Sequence, residues 1–381
     1  MTARLWLLEA VDTLFFRDGT PFIMGETDSR GIQSKFPPAM TTVQGAIRTA
    51  LAMGQGWRAN GHVPWPEEVL GSTENIGLLR LKGPYLALSR NDKPEFLFPF
   101  PASVVKIKET YVRLDPGEDS VSTDISSNTR LPELLDADDV ESVAGKWLTA
   151  AGLAKILAGL QPLAEEVIDS SKLWKHEQRV GIRINRQTRT VPKDQQGALY
   201  SLTHVRPCAH LRLAAVVSGV PDSWHQAASK IIPLGGESRM AFIEIQETSD
   251  ILPVMPELVP VDNKLRFTVT LVTPGLFGNL PDASSESLSH VVEETRQALT
   301  QGPLPQFGPC ISACIPKLTQ AGGWDIVNKR PRPLRPVVIP GSSWFYETDA
   351  TRLDEIRALH GSFVGDKAEM GYGQILIGRW G

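Results

Sequence analysis

Apolar residues crowd the start of the chain. Leu5, Leu7 and Leu8 lead through Ala10 and Val11 into 14–16, a strand pattern that enters a loop rich in Gly, Asp and Pro. The period then changes. Ala46, Ile47, Ala50 and Leu51 recur at helical spacing, with Thr41 or Thr42 placed to cap the helix and Gly54 placed to stop it. Pro37 and Pro38 hold the approach to this helix extended. Strand-like stretches follow at 78–89 and 211–219, the second carrying a Leu-Ala-Ala-Val-Val core that suggests a central strand. Residues from about 90 to 200 read as an insertion. A helical stretch at 221–231, Gly235 and Gly236, and a strand at 240–245 complete the first half.

The second half repeats the plan. A strand at 265–272 enters the turn Pro274-Gly275-Leu276-Phe277-Gly278, and a helix is expected over 285–299. Strand-like stretches at 337–339 and 344–346, a helix at 351–359 and Gly371-Tyr372-Gly373 precede a final strand at 374–380. Each half thus runs strand, helix, strand, strand, helix, strand, with glycines before its last strand. That order predicts an α+β fold of two ferredoxin-like βαββαβ domains, at 1–250 with the large insertion and at 251–381, an arrangement also used by RNA-recognition domains.

Composition narrows the class. With 381 residues, 41% of them hydrophobic and 22% charged, the chain reads as a globular protein able to bury two cores. The apolar run before Glu9 is too short for a signal peptide or a membrane span, and three cysteines suit a reducing compartment, so a cytoplasmic protein without membrane association is expected.

The net charge of −4 does not advertise nucleic-acid binding, but the charges are segregated. Residues 115–141 carry nine acids and one base, whereas 172–193 carry seven Lys/Arg and one acid. The run 329–335 has four bases and no acid. Within 179–189, Ile182 and Ile184 alternate with Arg183, Asn185, Gln187 and Arg189, which predicts a basic face on an extended ribbon alongside Arg179 and Arg186. Trp174 and Tyr200 flank this stretch and are candidates for stacking on unpaired bases. Lys329 and Arg330 open a proline-interleaved run that reads as a stiff exposed connector.

Glycine loops let a backbone approach a phosphate closely, which makes Gly235, Gly236 with neighbouring Arg239, and Gly371-Tyr372-Gly373 candidate contacts. The helix starting near Thr41 and Thr42 points its positive end at the loop after the first strand, with Gly45 and Arg48 further along and Arg17 and Gly19 in the loop itself. Catalytic signals are weak. His204, Cys208 and His210 lack an evident fourth ligand, Cys310 and Cys314 read as core residues, and no triad, phosphate-binding loop or paired-carboxylate motif stands out.

Five segments in order carry a resemblance. They are Asp12-Thr13-Leu14-Phe15-Phe16-Arg17-Asp18-Gly19-Thr20-Pro21-Phe22, Gly45-Ala46-Ile47-Arg48-Thr49, Leu234-Gly235-Gly236-Glu237-Ser238-Arg239, Pro340-Gly341-Ser342-Ser343 and Gly371-Tyr372-Gly373-Gln374. Together they resemble the third-subunit family of the Cmr complex, the type III-B CRISPR effector, within the RAMP group. The resemblance implies a non-catalytic subunit of an antiviral RNA-targeting complex, without a cofactor. It would hold the repeat-derived 5′ tag of the crRNA beside the large polymerase-like subunit and an adjacent backbone RAMP subunit. A RAMP endoribonuclease that processes precursor RNA is the alternative, with His176 as its candidate acid or base. The acidic segment 115–141 matches no motif of the family.

Overall fold

The computed structural model describes residues 2–17, 33–73, 75–90, 93–122, 129–133, 139–182, 184–185, 187–191, 199–248, 251–278, 285–325 and 330–381. Strand β1 (Arg4–Ala10) is followed by helix α1 (Met40–Gly54), β2 (Arg80–Arg90) and β3 (Lys93–Pro99). Then come β4 (Lys146–Thr149), α2 (Ala150–Leu157), β5 (Val167–Asp169) and the hairpin β6 (Trp174–Ile182) with β7 (Leu199–Pro207). The run β8 (Leu211–Ser218), α3 (Asp222–Ala227), β9 (Ile231–Pro233) and β10 (Met240–Glu247) closes the first half.

One eight-stranded sheet unites most of these in the order β5-β4-β3-β2-β8-β1-β10-β9. Its centre, β2-β8-β1-β10, pairs antiparallel throughout and has the strand order of a ferredoxin-like unit. Residues 90–200 are therefore more than an insertion, because β3, β4 and β5 prolong the sheet beyond β2. Alternation along β1 divides the core. Trp6 and Leu8 face α1 with Val43, Ile47 and Leu51, while Leu5 and Leu7 face Phe98, Leu148 and Leu153 on the opposite side. β8 is buried on both faces, as its apolar run predicts.

The ends of α1 differ from expectation. The helix begins at Met40, its N-cap is Ala39 with no side-chain cap, and Thr41 and Thr42 lie inside the first turn. Gly54 does end the helix, and close packing explains it, since a Cβ there would stand 2.4 Å from the Ala227 carbonyl oxygen.

The second sheet is built from β11 (Lys264–Leu271), β12 (Ser312–Cys314), β13 (Ser343–Asp349) and β14 (Ile375–Arg379) in the order β12-β13-β11-β14, again antiparallel. Helices α4 (Ser285–Thr300) and α5 (Leu353–Ala358) accompany it. The expectation that 337–339 supplies its second strand is corrected. Arg335–Val337 pairs instead with Thr319–Ala321, and the short β12 takes the edge. The hairpin of the acidic segment, Pro116–Val121 with Thr129–Pro132, meets that edge, where the Arg130 N–H donates to the Ile311 carbonyl at 2.9 Å. An otherwise open strand edge is thus covered.

Gln374, just before β14, ties the two sheets together through Tyr85 and is itself held by its own half. The Tyr85 hydroxyl donates to Gln374 Oε1, and the Gln374 side-chain amide donates to the Gly361 carbonyl at 3.1 Å. The Gln374 backbone N–H donates to Thr273 Oγ1 at 2.8 Å. Among the described residues no helix is long and apolar enough to cross a membrane.

Candidate nucleic-acid interface

Immediately after β1 the chain bends at 11–13, and Leu14 and Phe15 then bridge to Val205 and Gly235. This places Asp12 between the β6–β7 hairpin and the glycine loop before β10. Three arginines meet it there. Arg206 Nη1 donates to Oδ1 at 2.9 Å, and Arg179 Nη2 and Arg239 Nη1 donate to Oδ2 at 3.2 and 3.4 Å. Glu177 braces two of them from the hairpin, accepting from Arg179 Nη2 at 2.7 Å and from Arg206 Nε at 2.6 Å. The Thr13 backbone N–H, together with Arg206 and Arg179, holds the Asp12 carboxyl down at about 2.

The cluster carries three positive and two negative charges on partly exposed side chains. Beneath it, His204 is buried, with Nδ1 3.1 Å from Thr13 Oγ1 and its ring 5.3 Å from that of Phe15. Burial and the nearby Arg239 and Arg179 keep its pKa low. His204 is thus a core residue beside the bend, and among the described residues no group of His, Cys, Asp and Glu is arranged to hold a metal.

Gly235 and Gly236 are exposed and sit tight against the loop after β1. A Cβ at Gly235 would lie 2.4 Å from the Phe15 carbonyl oxygen, and φ there is +83°. Arg179 and Arg239, distant in sequence, are therefore brought together at one place. Arg206 and the organising carboxylates Asp12 and Glu177 are the partners that sequence reading missed.

The extended basic ribbon is corrected in part. β6 ends at Ile182, and the turn after Ile184 is closed by the Arg189 N–H donating to the Asn185 carbonyl at 2.7 Å. Arg189 itself has φ +54°. The outward face of the hairpin carries Val180, Ile182 and Ile184, all exposed, whereas Arg179 turns inward to its carboxylates. Trp174 is half-buried. Its ring packs 4.9 Å from Phe36 and 6.1 Å from Trp147. Gly19, Arg183, Arg186 and Lys329 lie outside the described residues.

A second basic region surrounds the start of α1. Tyr372, 2% exposed, hydrogen-bonds to Thr41, and burial pushes its phenol pKa up. Arg332, Arg335 and Lys367 stand around it. Burial pulls both Lys367 and Arg335 down; the nearby Arg335 adds to this at Lys367, whereas Asp366 opposes it at Arg335. Arg48 belongs to the same region and is held down at about 10 by burial and then by Arg332. Its Nη2 donates to the Ser72 carbonyl at 2.6 Å and its guanidinium lies 5.3 Å from the Trp65 ring centre, so it ties α1 to the following loop.

Gly371-Tyr372-Gly373 was expected to lie open to a phosphate, but all three residues are buried where the two sheets meet. A Cβ at Gly371 would stand 2.7 Å from the Gly83 carbonyl oxygen, so the glycine serves close packing. Nor is 329–335 a bare connector. Arg330–Pro331 pairs with Trp324–Asp325, and Arg335–Val337 pairs with Thr319–Ala321. Gly45 is exposed on α1, where an added Cβ would meet nothing within 4 Å, and Thr42 is half-buried.

The segment 33–39 connects the two regions. Ser34 pairs with Arg17 and its Oγ accepts from the Phe16 N–H at 2.8 Å. Lys35 donates through its backbone N–H to the Phe16 carbonyl at 2.9 Å and through Nζ to Thr319 Oγ1. Basic groups therefore follow one another from Arg206 and Arg239, past Lys35, to Arg335 at the start of α1.

A family model described as CRISPR-associated protein (Cas_Cmr3) matches residues 6–380. No curated protein matches the chain. Among solved structures, it is similar to a chain of the type III-B Cmr-beta complex bound to cognate target RNA, with 16% identity, 97% of this chain and 96% of that chain covered, and a TM-score of 0.49. A chain of the same kind of complex with cognate target RNA and AMPPnP matches at 15% identity, covering 93% and 88%, with a TM-score of 0.44. A chain of the Csm3-Csm4 subcomplex of the type III-A interference complex matches at 10% identity, covering 99% of each, with a TM-score of 0.41.

Proposed function

Because the chain belongs to the Cas_Cmr3 family of CRISPR-associated proteins, we propose that it is a non-catalytic crRNA-binding subunit of a type III CRISPR effector complex. In this reading it holds the repeat-derived 5′ tag of the guide and docks the large polymerase-like subunit and an adjacent backbone RAMP subunit. Residues 1–250 and 251–381 act as its two RAMP units. The convergence of Arg179, Arg206 and Arg239 from separate segments, beside the exposed Gly235 and Gly236, supports the reading most strongly. Guanidinium forks match phosphate oxygens, and exposed glycines leave room for an RNA backbone.

The test is binding of the purified protein, with and without its large partner subunit, to guide RNA carrying or lacking the 5′ tag across a salt series. Tag-dependent binding that weakens with salt, and weakens further in Arg206→Ala with Arg239→Ala, is the expected result. Equal binding with and without the tag would overturn tag recognition. Cleavage of repeat RNA, lost in His176→Ala, would establish the endoribonuclease instead.

A further inference from the structure

We propose that Asp12 is an internal occupant of an anion site made by Arg179, Arg206 and Arg239, and that a backbone phosphate of the guide RNA displaces it. This rests on the RNA-binding function proposed above and adds how that site is kept closed. Asp12 is the one acceptor shared by all three guanidiniums among the described residues, and they reach it from three segments: β6, β7 and the turn before β10. Its side chain is 43% exposed, so the position it fills opens to solvent. Two of its three contacts are long, at 3.2 and 3.4 Å.

The arginines do not depend on Asp12 alone for their placement. Glu177 holds Arg179 and Arg206 at shorter distances, and the backbone of Arg239 is fixed by its N–H donating to the Gly236 carbonyl at 3.2 Å and its carbonyl accepting from the Leu234 N–H at 2.8 Å. The Arg239 Nε is buried and has no hydrogen-bond partner among the described residues. A phosphate offers more acceptor oxygens than one carboxylate and can engage guanidinium forks in pairs. Exchange therefore needs rotation of the Asp12 side chain, which gives up its bond from the Thr13 backbone N–H as well as the three guanidiniums. An arginine cluster already balanced by carboxylates holds weakly to stray anions, and the guide gains the site by supplying a stronger acceptor.

Asp12→Asn keeps the side-chain shape and removes the competing charge. In guide-RNA binding by the full chain with its partner subunit, it should tighten binding about fivefold at low salt, the effect of one unit charge at contact distance in water. The slope of log affinity against log salt should stay unchanged, because the same phosphate enters the site in both proteins. Asp119→Asn, at an exposed acid of the hairpin 116–132, removes the same net charge elsewhere and should change neither. Arg239→Ala tests the site independently and should weaken binding about fivefold and flatten the slope by about 0.7.

Weaker binding by a folded Asp12→Asn would overturn the proposal, because Asp12 would then be an organiser and not a competitor. Behaviour of Asp12→Asn indistinguishable from Asp119→Asn, or no effect of Arg239→Ala, would overturn it by showing that no phosphate enters the cluster. If the unaltered protein and its partner fail to bind tagged guide RNA at all, it is the proposed function that fails.

Discussion

Gly371→Ala tests whether the glycine loop before the last strand is a packing device. The added Cβ would stand 2.7 Å from the Gly83 carbonyl oxygen, 3.1 Å from Met40 Cε and 3.3 Å from the Leu81 carbonyl oxygen. The methionine can yield, but the two carbonyls belong to β2 in the middle of the first sheet. Gly371 also has φ +92°, which an L-residue adopts at a penalty of about 1–2 kcal/mol. Overpacking adds about 1–3 kcal/mol, so the total is about 2–5 kcal/mol. For a chain of this length, with unfolding entropy scaling per residue, that lowers Tm by roughly 3–6 °C. Differential scanning calorimetry reads the shift directly. A Tm within about 1 °C of the unaltered protein would refute the packing account, since neither a 2.7 Å contact nor a positive φ is tolerated without cost.

Gly45→Ala is the counterpart, because nothing lies within 4 Å of its Cβ position and the residue is inside α1. Stability should rise by about 0.5–1 kcal/mol in denaturant titration, and weaker guide binding in the same variant would mean that RNA approaches the helix there. Arg48→Ala should cost about 2 kcal/mol through loss of the Ser72 hydrogen bond and the Trp65 contact, while changing RNA affinity less than Arg206→Ala does. Burial lowers the pKa of His204, His225 and His360 below the ordinary value of 6.5. The unfolded chain therefore binds more protons just below that value, and stability present above pH 6.5 should be lost progressively as the pH falls through the folded-state pKa values. Thermal melts from about pH 7.5 to 5 check this, and a flat profile would show that the imidazoles are not held neutral.

Sequence periodicity located α1, β2, β8 and β10 to within a few residues, because each has Gly or Pro close to an end, and it found the start of β1, which stops at Ala10 and not at Phe16. β8 was readable as central because its residues are apolar on both faces. The extension of the first sheet was not readable, since β4 and β5 are only four and three residues long and take their strand character from pairing with β3 and each other. β12, at three residues, is likewise a strand through its pairing with β13. Thr41 and Thr42 resembled caps, but Ala39 takes the N-cap position and leaves Thr41 to meet Tyr372.

At the arginine cluster, the basic run of 172–193 pointed to the β6–β7 hairpin and its alternation separated Arg179 from the aliphatic residues, but did not show which side meets the loop after β1. The alternation continues through Ile182, yet the hairpin turns its aliphatic side outward and pairs Arg179 with Glu177. Arg206 was hidden among His204, Cys208 and His210, which drew attention as possible ligands. Its one signal was strand alternation with His204, which places the two on one side of β7 beside Asp12.

The most direct measurement is photocrosslinking of the assembled complex with guide RNA carrying 4-thiouridine at each position of the 5′ tag in turn, read by mass spectrometry. Crosslinks from tag nucleotides to peptides spanning Asp12–Arg17, the β6–β7 hairpin or Gly235–Arg239 are the predicted result. Crosslinks from the tag only to other subunits, or only to surfaces of this chain remote from the arginine cluster, would contradict the claim that this subunit grips the guide there.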